Sequence, residues 1–209
     1  NRIGRTLMIR ETTLRLDELR EKILGANFLK NTGIGNEIGF YIFDYNPKDE
    51  LIVREYLPEL KKYLERENRT VKIQIFDLYE IVISFFEQRN YLGKNFQMEE
   101  KKGSAYLFDK MRKALKIATN NDRIIQYIQE NLDDEAIVFI TGVGKAFPIL
   151  RSHSILNNLQ TVVETKPLIL FYPGSYEKGT LKLFNQFTDD NYYRAFNIID
   201  STFALEKPI

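Results

Sequence analysis

Ala136-Ile137-Val138-Phe139-Ile140-Thr141-Gly142-Val143-Gly144-Lys145 is the stretch on which the reading of the fold turns. Its first six residues form an unbroken, β-prone and mostly apolar run, which suits a strand covered on both faces. The glycines that follow end the strand in a turn. Upstream, Ile38-Gly39-Phe40-Tyr41-Ile42-Phe43 is a second such run, ending at Asp44. Downstream, Leu168–Tyr172 is a third, ended by Pro173-Gly174. Val71–Phe76 is a further strand with Val71, Ile73 and Ile75 on one side, and a last strand is expected near Tyr192–Ile198.

Helical spacing fills the intervals. Leu16, Leu19, Ile23, Leu24 and Phe28 predict a helix over about residues 14–29. Lys48-Asp49-Glu50 opens a helix with Val53, Leu57, Leu60 and Leu64 on one face, which Pro58 should kink or divide. Asp77-Leu78-Tyr79-Glu80 matches a capping box and leads into a helix with Leu78, Ile81, Val82 and Phe85 inward. Residues 90–103 are polar and contain glycine, and read as a loop. Helices follow near 104–117, 121–132 (Ile124, Ile125 and Ile128 apolar) and 149–160, the two before Ala136 looking like an insertion or edge cover. Strand and helix alternate with short connections. The expected fold is therefore one three-layer α/β/α domain with a mostly parallel sheet of about five strands, P-loop/Rossmann-like but without a Walker A loop.

Composition narrows the function classes. Of 209 residues, 44% are hydrophobic and 28% charged, as in ordinary globular proteins. The absence of cysteine removes disulfide and thiol chemistry and makes a reducing, cytoplasmic setting the natural expectation. No run approaches the length needed to cross a bilayer. Thirty basic residues face twenty-nine acidic ones, so the excess that phosphate neutralisation requires of a duplex binder is missing, and direct nucleic-acid binding is not expected. The local cations Lys101, Lys102, Lys110, Arg112, Lys113 and Lys116 alternate with apolar residues and read as a solvated helix face.

In open α/β sheets, ligands settle at the carboxyl ends of the strands, which here carry Asp44, Asp77, Gly142 with Gly144, and Pro173 with Gly174. Gly142-Val143-Gly144-Lys145 imitates a phosphate loop, but the required earlier glycine is Phe139 and the residue after Lys145 is Ala146. Gly33-Ile34-Gly35 precedes its strand, the wrong side for a dinucleotide fingerprint. His153 is the only histidine, so a zinc site would rest on carboxylates and is not expected, and a hydrolase triad around it lacks a nucleophile elbow, since no Gly-x-Ser-x-Gly occurs. Ser152 and Ser154 read as helix caps. Asp77 reads as an N-cap, and Asn157 and Asn158 as amides that satisfy nearby carbonyls or face a partner.

Several phrases, taken in order, resemble one family. They are Gly35-Asn36-Glu37-Ile38-Gly39-Phe40, Ile140-Thr141-Gly142-Val143-Gly144, Leu150-Arg151-Ser152-His153 with Leu156-Asn157-Asn158-Leu159-Gln160, Phe171-Tyr172-Pro173-Gly174, and Tyr192-Tyr193-Arg194-Ala195-Phe196. The set is similar to the BrxB family of bacterial BREX phage-defence systems, over roughly residues 14–199. The resemblance implies a cytoplasmic accessory component of a multi-protein machine that also contains a PglZ-type phosphatase-superfamily protein, a large ATPase and a DNA methyltransferase. It implies contact with other BREX proteins, above all the PglZ-type protein, and supplies no catalytic residue and no cofactor. Asp44, Gly142, Gly144, Arg151, His153, Asn157, Pro173 and Gly174 are the residues expected to contact a partner or ligand. The alternative is a degenerate nucleotide- or phosphate-binding domain using the same strand ends.

Overall fold

The computed structural model describes residues 2–25, 28, 39–151, 154, 156–159, 166–189, 191, 193 and 195–199. In chain order its elements are α1 (Arg2–Leu24), β1 (Phe40–Tyr45), a 3₁₀ turn (Pro47–Asp49), α2 (Glu50–Glu67), β2 (Lys72–Asp77) and α3 (Leu78–Glu87). There follow α4 (Leu92–Lys102), α5 (Ser104–Leu115), α6 (Arg123–Asn131), β3 (Ala136–Thr141) and α7 (Val143–Ala146). The chain then forms β4 (Leu168–Glu177), β5 (Thr180–Leu183), β6 (Phe187–Thr188) and β7 (Phe196–Asn197). Residues 156–159 are also helical.

The sheet runs in the order β2-β3-β4-β1-β7, with every pair along that path parallel. The continuous apolar runs read in the sequence become its buried interior. Successive side chains of a strand point to opposite faces, so each run feeds two cores. Ile137, Phe139, Ile169 and Phe171 join one core with Leu16, Leu19 and Ile23 of α1 and Leu57, Leu60 and Leu64 of α2. Val138, Ile140, Leu168 and Leu170 join the other, with α3, α5 and α6. This is the expected α/β/α sandwich. No helix among the described residues is long and apolar enough to cross a membrane.

Several element boundaries differ from the sequence reading, each for a local reason. Helix α1 begins at Arg2 rather than near residue 14. Residues 92–102 form a helix instead of a loop. None of its residues is fully buried, and only Leu92 and Met98 lean on the core, so its apolar period was too faint to register. Phe86 rather than Phe85 is the fully buried aromatic of α3. Helix α2 passes through Pro58 as one element. Pro58 and Arg54, whose carbonyl loses its helical donor, both lie on the exposed side.

The largest difference is at Pro173-Gly174, which does not end β4. Pairing with β3 stops at Leu170, so a residue without an N–H is tolerated beyond that point. The strand continues and pairs antiparallel with β5, Gly174 opposite Leu183 and Glu177 opposite Thr180. A Cβ on Gly174 would stand 2.1 Å from the Lys182 carbonyl oxygen, so only glycine permits this approach. The two-residue β7 beside β1 stands where a longer final strand was expected.

A buried ion pair locks these pieces together. Arg15 occupies a core position on the α1 stripe between Thr12 and Leu19, and is 3% exposed; Asp44 is 2% exposed. Arg15 Nη2 donates to Asp44 Oδ1 at 2.9 Å and Nη1 to the Asp44 carbonyl at 2.6 Å. Nη2 also reaches the Ile199 carbonyl at 3.4 Å. The second Asp44 oxygen accepts the backbone N–H of Tyr176 at 3.0 Å. Burial pushes the Asp44 carboxyl above its ordinary range, against the opposing pull of the Tyr176 N–H and of Arg15. A group raised in this way favours folding most when protonated, and that contribution is lost as pH rises through its folded pKa. The pair therefore joins α1, β1, the β4–β5 hairpin and residues 196–199 in one geometry, and its value lies in that join more than in net stability. Asp44→Ala should destabilise by roughly 3–5 kcal/mol, because it strands the Arg15 charge. Arg15→Met combined with Asp44→Leu should cost less than either single change. Urea unfolding of the three variants checks this, and additive losses would refute it.

Candidate functional site

The strand order decides where a ligand would sit in such a sheet. After β1 the chain turns to the face carrying α2, and after β3 to the face carrying α7 and residues 156–159. Strand β4 lies between them, so the crevice of an open α/β sheet falls over the carboxyl end of β4. That place is filled by the chain itself. Strand β4 extends through it as the hairpin, and Asp44, the acid nearest it, is spent on Arg15 and Tyr176. Gly144 lies against the base of the hairpin, where a Cβ would meet Phe184 at 2.9 Å and Pro173 at 3.0 Å. Gly144, Pro173 and Gly174 thus come together as one packed joint.

The imitation phosphate loop is also closed. Asp77 ends β2 and caps α3, its Oδ1 accepting the N–H groups of Tyr79 and Glu80 at 3.0 and 3.2 Å. This is the half of the expected capping box in which the cap side chain accepts. The carboxylate lies across the mouth of the loop after β3, since a Cβ on Gly142 would stand 2.3 Å from Asp77 Oδ1. Gly142 has φ +77°, a conformation that favours glycine. Lys145, the residue that would contact a phosphate, is paired with Asp77 at 2.6 Å and Glu80 at 3.4 Å. An anion arriving here would meet a carboxylate first and a neutralised lysine second.

Beneath α2 an open cavity of about 150 Å³ lies at the same edge, and Tyr45, Asp77, Thr141 and Gly142 at the ends of β1, β2 and β3 border it. Val53, Leu57, Ile75 and Phe171 line its floor, and Glu50 and Arg54, paired at 3.1 Å, stand on its rim. Tyr45 donates to Glu50, and burial raises its phenol well above the ordinary range, so it stays protonated. No group of histidine and carboxylate residues able to hold a metal occurs among the described residues.

The remaining predicted positions are exposed, half-buried or outside what is described. Arg151 and Asn157 are exposed. Asn158 is half-buried and hydrogen-bonds to Asp122, the buried N-cap of α6, which accounts for one of the two amides. His153 lies outside the described residues, as do Gly33, Ile34, Gly35, Ser152, Tyr192 and Arg194. Sequence reasoning missed Arg15, although a cation on an otherwise apolar stripe was the available signal. It also missed an aromatic cluster beside the hairpin joint. The Phe147 ring lies 5.0 Å from that of Phe187 and 5.9 Å from that of Phe184. Phe187 is 50% exposed, so the closed strand end presents aromatic surface to solvent.

Comparison with known proteins gives a consistent result. The family model described as BREX protein BrxB matches residues 74–198. A BREX protein BrxB from Bacillus cereus (strain H3081.97) is 50% identical over 192 residues, covering 92% of this chain and all of the relative. Another, from Escherichia coli O9:H4 (strain HS), is 36% identical over 190 residues, covering 90% of this chain and 92% of the relative. No solved structure matches.

Because Asp77 fills the loop mouth, millimolar ATP or pyrophosphate should leave the melting temperature unchanged, whereas a bound anion would raise it. Gly142→Ala should destabilise by roughly 1–3 kcal/mol through strain and displacement of Asp77. Thermal denaturation reads both, and an unshifted Gly142→Ala transition would contradict the assigned geometry.

Proposed function

The chain belongs to the BrxB family and is a component of a BREX phage-defence system, and from that premise we propose that it acts as a non-catalytic docking subunit. Its partner in this reading is another BREX protein, the PglZ-type phosphatase-superfamily protein foremost, met in the cytoplasm. The observation that carries the reading is the end of β4, which the hairpin covers. Where an enzyme of this architecture keeps a ligand, this chain keeps its own hairpin and the Asp77–Lys145 pair. What the edge offers instead is the half-exposed Phe187 with Phe147 and Phe184 behind it, the kind of aromatic anchor that dominates binding energy at protein interfaces. Gly144, Pro173 and Gly174 serve this surface by letting the hairpin pack closely, Gly142 holds the neighbouring loop against Asp77, and Arg151, His153 and Asn157 are proposed polar contacts of the docking subunit.

The second reading, a degenerate phosphate-binding domain, has the glycines after β3 and the small cavity beside them in its favour, and the Asp77 carboxylate on that cavity opposes it. Size-exclusion chromatography of the purified chain mixed with the PglZ-type protein at micromolar concentration should give one co-eluting peak. Phe187→Asp should split it into two while lowering the melting temperature of the chain by only a few degrees, through the loss of its ring contacts. Separate elution of the unaltered proteins would reject the proposal.

A further inference from the structure

Helix α5 is seated on the core by Leu107, Met111 and Leu115, but helix α4, which packs beside it, has no such anchor. Helix α4 buries none of its residues completely, yet Phe96 on it is 67% exposed and Tyr91 at its start is 42% exposed. An isolated helix of this length is marginal in water, and exposed aromatics add nothing to its stability.

Charge is concentrated on the same pair. Residues 91–117 carry seven cations and three carboxylates, a net +4, while the whole chain is +1, so everything else together is −3. Among the described residues, Lys94, Lys101, Lys102, Lys110 and Lys116 form no salt bridge, whereas Lys113 pairs with Asp109 at 2.8 Å. Lys102 and Lys110 share one aromatic ring, their ammonium groups 4.6 and 5.1 Å from the Tyr106 centroid. The hydrogen bond from Lys102 and both nearby charges hold the Tyr106 phenol below its ordinary range. Two like charges gathered on one ring repel each other, Asp109 being paired with Lys113, and an arriving carboxylate would relieve that repulsion.

We propose that the α4–α5 pair is a docking surface for an acidic face of a protein partner, with Phe96 as its apolar anchor and Lys102 and Lys110 as its charge readers. The surface favours a protein over a nucleic acid because Glu99, Glu100 and Asp109 interrupt the cations, which a continuous polyanion would meet as repulsion. An acidic protein face can place neutral groups opposite them. The assignment rests on the docking role proposed above and names a second surface for it, distinct from the Phe187 edge.

The test is titration of the full-length chain against the PglZ-type protein by interferometry, at low and at moderate salt, with Lys102→Glu/Lys110→Glu and Phe96→Ser as variants. These residues are exposed, so circular dichroism and melting temperature should match the unaltered chain. Each variant should weaken binding on the order of tenfold, and the charge-reversed one should lose most of the salt dependence. Unaltered affinity in both variants, with the parent chain binding, would overturn the surface and leave the docking role standing. No binding by the parent chain would overturn both. A double-stranded oligonucleotide bound by the parent chain but not by the charge-reversed variant at moderate salt would reassign the surface to nucleic acid and overturn the inference.

Discussion

One buried ion pair, Arg15 with Asp44, constrains most of what is distinctive in this structure. A parallel α/β sheet needs only apolar side chains to hold its layers together, and β1, β3 and β4 supply them. Apolar contact has no direction, however, and does not say where α1 should stop or where the β4–β5 hairpin should stand. Arg15 and Asp44 add direction. Four of their contacts end on β1, on Tyr176 of the hairpin and on Ile199, which are far apart in the chain. Lys22 on the same helix adds a fifth, to the carbonyl of Ile198 at 2.7 Å. Helix α1 is thereby fixed along the edge where β7 is only two residues long, and side-chain donors take the place of a longer ladder.

The functional consequence follows from geometry. Fixing the hairpin by Asp44 places it over the carboxyl end of β4, the position that sheets of this order leave open for ligands. Asp77 does the same on a smaller scale at the neighbouring loop: one carboxylate caps α3, covers Gly142 and neutralises Lys145. Acids that a sequence reader would hold as catalytic candidates are thus both consumed by structure. What remains outward is aromatic and basic: the Phe147–Phe184–Phe187 cluster at the hairpin and the lysine-rich α4–α5 pair. Those are the features that the proposed docking role in a BREX system would use.

How much of this was legible in the sequence depended on how local the cause was. The strands, the sandwich and the N-cap at Asp77 were readable because each rests on a run or spacing within a dozen residues. Asp44 was placed at the right edge but not in its role, because its partner Arg15 lies twenty-nine residues away and its third contact, Tyr176, lies beyond a strand that Pro173-Gly174 had been expected to end. The hairpin escaped notice because a proline and a glycine ordinarily stop a strand, and only the early end of β3 shows why they do not here. Helix α4 was hidden for the opposite reason: it packs so little that its sequence carries almost no apolar period. The family resemblance, by contrast, was legible from phrases alone, since turn glycines and their neighbours keep their order whatever they contact.

The hairpin covers the end of β4, and the proposed role has this chain work through its surface. Hydrogen exchange on the full-length protein addresses both halves in one experiment. With the PglZ-type protein added, exchange should slow in residues 91–117 and around Phe187, and residues 141–146 should be unaffected by nucleotide. Slowed exchange at 141–146 on adding nucleotide alone, with no change in residues 91–117 or around Phe187 when the partner is present, would contradict it.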